Sequence, residues 1–211
     1  MRIYRKAGHR TADATAKAAD TLRQPLSFIS REMIADVFNS QARGRLDISV
    51  CFTGHRHISL SDEEALLSRL DSLLEALYRR GFRDFICGGA IGFDTLAAEA
   101  VIRLREKNPD ARLILALPCA SQSEHWSPAD CNRYERILYL ADQTHVLSPH
   151  YYSGCMQVRN RFMVDRSMLC VCYLIHMRGG TMSTVSYALQ QERTIVNLAM
   201  PDACEAFLHG T

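Results

Sequence analysis

The sequence predicts an α/β domain, a Rossmann-like, doubly wound and mainly parallel sheet of about six strands with helices on both faces. Three observations predict it. From residue 47 onward, short apolar runs alternate with stretches of helical periodicity. The runs are almost continuously apolar, as strands buried on both faces are. Every glycine-rich or irregular stretch directly follows such a run, at a strand's carboxyl end, where this fold class collects its ligands.

Taken in order, residues 1–45 stand apart from the rest. A basic opening is followed by an Ala-rich polar stretch, and then Leu26, Met33, Ile34, Val37 and Phe38 mark an amphipathic helix. This part reads as a helical or partly disordered extension, dispensable for folding. Asp13 and Asp20 speak against an organelle-targeting peptide, which is acid-poor. The main domain is expected over residues 46–200, with 201–211 as a C-terminal tail.

Asp47 to Thr53 is the first strand, and Thr53-Gly54-His55-Arg56 follows it. Ser61 with Glu64 forms a capping box, opening a helix whose buried stripe is Leu66, Leu70, Leu73 and Leu77. Gly81 suits the position just past its end. Phe85 to Cys87 is the central strand. Gly88, Gly89, Ala90 and Gly92 form a turn, and Asp94 or Thr95 is placed to cap the next helix. Strand, glycine turn and helix N-terminus together present free N–H groups to an anion. Gly92 is read as leaving room for a ligand to approach main chain. The spacing is GGxxGxD, which is neither GxGxxG nor a Walker A loop.

Leu113 to Leu117 is the third strand, followed by an irregular stretch with Gln122 and Trp126. Ser127 and Pro128 start a further helix. Thr144 to Leu147 is a short strand, Tyr151 to Cys155 a loop, and Met156 to Arg166 a helix. Leu169 to Ile175 is the strongest strand. Arg178-Gly179-Gly180-Thr181 is a second glycine turn, Thr184 to Gln191 a helix, and Thr194 to Leu198 the last strand.

Composition excludes several function classes. Apolar residues make up 47%, charged residues 23%, and the net charge is +2. That balance gives no basis for non-specific nucleic-acid or membrane-surface binding. No apolar run approaches the roughly 20 residues that span a bilayer. The eight cysteines form no CxxC pair, and most sit in apolar runs. They read as buried, reduced thiols of a cytoplasmic protein, with no metal site expected.

The motifs together resemble a known family. Thr53-Gly-His-Arg56, the run from Gly88 to Glu99, Gln122 with Trp126, Arg159-Asn-Arg-Phe-Met-Val-Asp165 and Gly179-Gly-Thr-Met-Ser-Thr-Val-Ser-Tyr-Ala188 are similar to the YpsA-like family. It belongs to the superfamily uniting DNA-processing protein A and Lonely Guy proteins (SLOG). The resemblance covers about residues 46–200 and implies a Rossmann-like fold that binds or senses a nucleotide-derived ligand, a nucleoside phosphate or an ADP-ribose-like molecule. It implies ligand contacts at Thr53, Gly54, His55, Arg56, Gly88, Gly89, Ala90, Gly92, Asp94, Arg159, Asn160, Asp165, Gly179, Gly180, Thr181 and Thr184. A bound nucleotide is the cofactor to look for, a homo-oligomer is possible, and nucleic acid and membrane are not expected partners.

Lonely Guy enzymes release the ribose phosphate from cytokinin nucleotides, so a nucleotide N-glycosidase or phosphoribohydrolase is the alternative. Their MxxRKxxM helix resembles Met156 to Met163, with Asn160 in place of lysine. Their PGGxGTxxE loop matches Arg178 to Ser186 only loosely, without its glutamate. Glycosidic cleavage calls for a carboxylate, which leaves Asp94, Glu99 or Asp165 to substitute. Catalytic residues are therefore not assigned. A DNA-binding module is the weaker alternative.

Overall fold

The computed structural model describes residues 48–209. The segment read as a helical extension, with Met33, Ile34, Val37 and Phe38, lies outside them. The chain alternates β1 (Ser49–Gly54), α1 (Leu60–Arg79), β2 (Asp84–Cys87), α2 (Phe93–Lys107), β3 (Arg112–Leu117), α3 (Pro128–Leu140), β4 (Gln143–Val146), α4 (Cys155–Asp165), β5 (Leu169–Tyr173), α5 (Gly179–Gln190), β6 (Thr194–Asn197) and α6 (Pro201–His209). The six strands form one sheet in the order β4-β3-β2-β1-β5-β6, and every neighbouring pair is parallel.

Strand residues alternate between two cores, as the two-residue period requires. Val50, Phe52, Phe85, Leu113 and Val171 face the apolar sides of α1, α2, α3 and α6. Cys51, Ile86, Ile114, Cys170 and Cys172 face α4 and α5. The leucine stripe of α1 (Leu66, Leu70, Leu73 and Leu77) is fully buried as its spacing predicts. The β1-to-β4 progression runs to one side, and α4 carries the chain back so that β5 pairs with β1. Strand order therefore reverses between β1 and β5, which opens the crevice that folds of this kind use.

Local signals held at some helix ends and failed at others. Ser127 accepts a hydrogen bond from Asp130 N at 3.2 Å, the expected cap of α3. Gly81 takes a left-handed φ of 95°, as a residue past a helix end does. The capping box expected from Ser61 and Glu64 does not form. The cap position is Ser59, whose Oγ lies 2.6 Å from Ser61 Oγ and makes no backbone cap bond. Helix α5 begins at Gly179 instead of Thr184, so the second glycine turn is the helix's own first turn.

Residues 201–209 are a helix where the sequence reads as a tail. Phe207 is buried in the larger core, and Arg80 Nη2 donates to Phe207 O at 2.8 Å while its guanidinium lies 4.6 Å from the Phe207 ring centre. Phe207→Ala should cost about 3–5 kcal/mol, the usual loss for truncating a buried aromatic. A urea unfolding midpoint close to wild type would show that α6 is peripheral after all.

Candidate functional site

The crevice between β1 and β5 is stitched across by His55. Its N–H donates to Tyr173 O at 3.3 Å, and its Nε2 accepts from Ile175 N at 3.0 Å and from His176 N at 3.2 Å. Nε2 can accept only when it carries no proton, so the ring is held neutral. Partial burial, and then the His176 ring 5.3 Å away, push its pKa below the ordinary histidine value. Thr53 and Gly54 end β1 beneath this stitch. A Cβ on Gly54 would meet the Phe93 ring, with Cδ1 at 2.6 Å, so this glycine admits a side chain of the domain itself.

The first glycine turn is also filled from within. Arg159 reaches it from α4, and its Nη1 donates to Gly88 O and lies 3.5 Å from Asp94 Oδ2. Its Nε donates to Asn160 Oδ1 at 2.7 Å. A Cβ on Gly88 would collide with this guanidinium and would lie 2.5 Å from Asp94 Oδ2. Asp94 does not cap α2. It is buried, and its carboxylate accepts from the N–H groups of Ala90 and Gly88. Burial raises the Asp94 pKa, opposed chiefly by Arg159, while burial lowers that of Arg159. The N–H groups expected to hold an external anion thus hold an internal one.

Gly92 takes a φ of 87°, which favours glycine, and a Cβ there would also lie within about 2.6 Å of Arg56 Cα. The close approach read from the sequence is real, but it is made by the Arg56 backbone rather than by a ligand. Gly89, at φ 63°, sits against Leu117, Tyr134 and Gln122, whose Nε2 donates to Gly89 O at 2.7 Å. Thr95 Oγ1 closes the turn on Ala90 O at 2.8 Å.

The second glycine turn is different. A Cβ on Gly179 or Gly180 would meet nothing within 4 Å. These residues open the 12-residue helix α5, whose first N–H groups have no intrahelical acceptor. They border a groove of about 740 Å³ between α4 and α5 that also touches Asn160, Thr184, Met156, Met182 and Tyr187. Asn160 Nδ2 donates to Thr184 Oγ1 at 2.7 Å, and Thr184 Oγ1 donates to Gly180 O at 2.9 Å. Thr181 is buried beside them. Arg56 and Arg178 are exposed, and among the described residues neither side chain makes a hydrogen bond or an ion pair.

The predicted site residues therefore separate. Gly179, Gly180 and Arg56 remain accessible, Asn160 and Thr184 line the groove but bond each other, and Gly54, Gly88, Gly92, Asp94 and Arg159 are structural. Asp165 accepts from Tyr187 Oη at 2.7 Å, and Glu99 is held in a two-pronged bond by Arg133. Trp126 packs edge-on against Tyr134, with ring centres 5.2 Å apart, and is no free stacking platform. The seven described cysteines are unbridged, six of them buried, and no metal-ligating cluster occurs among the described residues. No described helix is long and apolar enough to cross a membrane. The roles of His55 and Arg159 in closing the crevice were missed, since their partners are remote in sequence.

Fold and loops together define a doubly wound α/β domain with one filled and one open glycine turn beside its switch point. The chain belongs to the YspA SLOG family, whose YpsA profile matches residues 50–198. It is 31% identical over 140 residues to the SPbeta prophage-derived protein YoqJ of Bacillus subtilis, covering 60% of this chain and 79% of that protein. A UPF0398 protein of Halalkalibacterium halodurans is 32% identical over 94 residues, 44% of this chain and 50% of that one. Among solved structures, DNA processing protein A of Streptococcus pneumoniae superposes with a TM-score of 0.51 at 17% identity. The match covers 76% of this chain and 55% of that protein, and it shows a shared fold.

Two expectations follow from this geometry. Arg159→Met should destabilise the domain by about 3 kcal/mol, because it strands the Asp94 carboxyl and leaves Gly88 O without its donor. A denaturant midpoint equal to wild type would refute a structural role. The His55 pKa is depressed, so its contribution is complete above the ordinary value of about 6.5 and is lost as pH falls through the folded-state value. His55→Gln should then give a flatter fall in urea midpoint between about pH 7 and 5 than wild type. Parallel curves would remove His55 from the account.

Proposed function

We propose that this domain binds a nucleotide-derived ligand, with the anionic part of that ligand on the first turn of α5. The observation that carries the reading is the contrast between the two glycine turns. Gly88 and Gly92 are packed by protein, whereas Gly179 and Gly180 face open space at a helix start beside a groove large enough for a nucleotide. The helix dipole and the free N–H groups favour an anion there. Arg56 and Arg178, both exposed, supply cations near the switch point.

Binding is favoured over glycosidic cleavage because no carboxylate lines the groove. The three carboxylates that might have substituted are each engaged, Asp94 with Arg159, Glu99 with Arg133 and Asp165 with Tyr187. A sensing or carrier role therefore fits the arrangement better than a hydrolase. The DNA-binding alternative read from the sequence makes single-stranded DNA a ligand to include in the same test.

Gly180→Glu probes the reading without harming the fold. The site has room for the side chain, and an acidic residue in a helix's first turn is stabilising. Calorimetric titration should show AMP or ADP-ribose binding to wild type and a loss of at least about tenfold in the variant, the scale of one charge-assisted contact. Chromatography after incubation with AMP should show no free adenine. Undiminished affinity in Gly180→Glu, or a preference for single-stranded DNA over both nucleotides, would overturn the proposal.

A further inference from the structure

We infer that the base of this ligand is held in a second cavity, on the other side of the β5–α5 loop from the α4–α5 groove. This rests on the reading that the anion sits on the first turn of α5. The cavity, about 650 Å³, lies where β5 and β6 end, between the start of α1 and the start of α6. Ile175 and Met177 line it and are 50% and 42% exposed, an unusual degree for large apolar side chains on a short ordered loop. Planar aromatic rings are what such walls cover well, and a thioether adds a favourable contact to a ring.

The cavity also has a polar end. Asp62 and Arg69 both line it, and the Tyr173 hydroxyl is close enough to the Asp62 carboxylate to feel its charge. A carboxylate only accepts, so this end can take an amino donor such as that of adenine.

The walls are fixed before any ligand arrives. His55 Nε2 accepts from Ile175 N and His176 N. Asn197 Oδ1 accepts from Leu174 N at 3.0 Å and Ala199 N at 3.1 Å, while its Nδ2 donates to Leu174 O at 3.0 Å. The loop is therefore pinned from Leu174 to His176, Arg178 N donates back to His176 O at 2.8 Å, and binding there needs little ordering. Met177 precedes Gly179 by two residues, so their Cα atoms are at most about 7 Å apart. That is the order of one ribose between phosphate and base.

The α4–α5 groove has less to offer a base. The Asn160 amide is used on both sides, accepting from Arg159 Nε and donating to Thr184, and Thr184 donates to Gly180 O.

Methionine ε-methyl groups make the two sides distinguishable. Met177 and Met200 line the cavity, and Met156 and Met182 line the groove. The full chain, carbon-13 labelled at methionine methyls, is titrated with AMP, ADP-ribose and ribose 5-phosphate and followed by NMR. The inference expects ring-current shifts at Met177 and Met200 with AMP that ribose 5-phosphate does not produce. It also expects Met177→Ala to weaken AMP about three- to tenfold while ribose 5-phosphate affinity stays constant. Base-dependent shifts confined to Met156 and Met182 would place the base in the groove, overturning this inference while leaving nucleotide binding intact. AMP binding without base-dependent shifts at any of the four methyls would overturn it as well. No saturable response to any of the three compounds would instead defeat the binding proposal itself.

Discussion

One buried guanidinium organises the carboxyl edge of this sheet. Arg159 is 6% exposed, and a charge so placed must find both a counter-charge and acceptors within the protein. It finds Asp94, Gly88 O and Asn160. Each contact constrains something else. The bond to Gly88 O forbids any side chain at Gly88. The pair with Asp94 draws the first turn of α2 inward. The bond to Asn160 orients an amide that in turn holds Thr184, whose hydroxyl holds Gly180 O. A single polar chain thus runs from the centre of the sheet to the start of α5. The open glycine turn is positioned through the closed one.

This explains why two similar-looking glycine turns do different work. Both follow a buried strand and open a helix. In the first, the N–H groups of Gly88 and Ala90 already hold a carboxylate, and the cation that balances it comes from α4. In the second, the helix starts without an internal anion, and α5 carries no acidic residue in its first turn. A rigid, internally neutralised turn thus sits beside an open one, and only the second keeps helix N–H groups without an internal anion.

The sequence made five strands legible because burial on both faces demands unbroken apolar runs, where Val50, Phe85, Leu113, Leu169 and Ile195 stand, while the edge strand at Thr144 is largely exposed and was marked by its place in the alternation. It also marked the positions where glycine is required. It did not show why. Gly92 takes φ 87° and clears the Arg56 backbone, and Gly88 clears a guanidinium 71 residues away in sequence. Local patterns distinguish a residue with no room for a side chain from an ordinary one, but they do not say what fills the room. His55 was picked out by its motif, yet its partners lie 120 and 121 residues on, beyond any periodicity. Helix α6 escaped notice because its nine residues are too few to display an apolar stripe, and its order comes from Phe207 entering a core built by other elements.

The same reasoning bears on the choice between binding and chemistry. A hydrolase of this architecture needs a carboxylate free to meet developing positive charge on the sugar. Here burial raises the pKa of Asp94, and its oxygens face Arg159 and two backbone N–H groups, so its negative charge is already spent on the fold. Freeing it would require moving α4, which packs Met163 and Val164 into the core behind β1 and β3. Asp165 and Glu99 sit at the surface in bonds to Tyr187 and Arg133. What lines the α4–α5 groove carries no carboxylate, and the free N–H groups of α5 are groups that hold a phosphate ester still without breaking it. The physical constraint that closes the first turn therefore also favours the binding reading proposed above over a cleaving one.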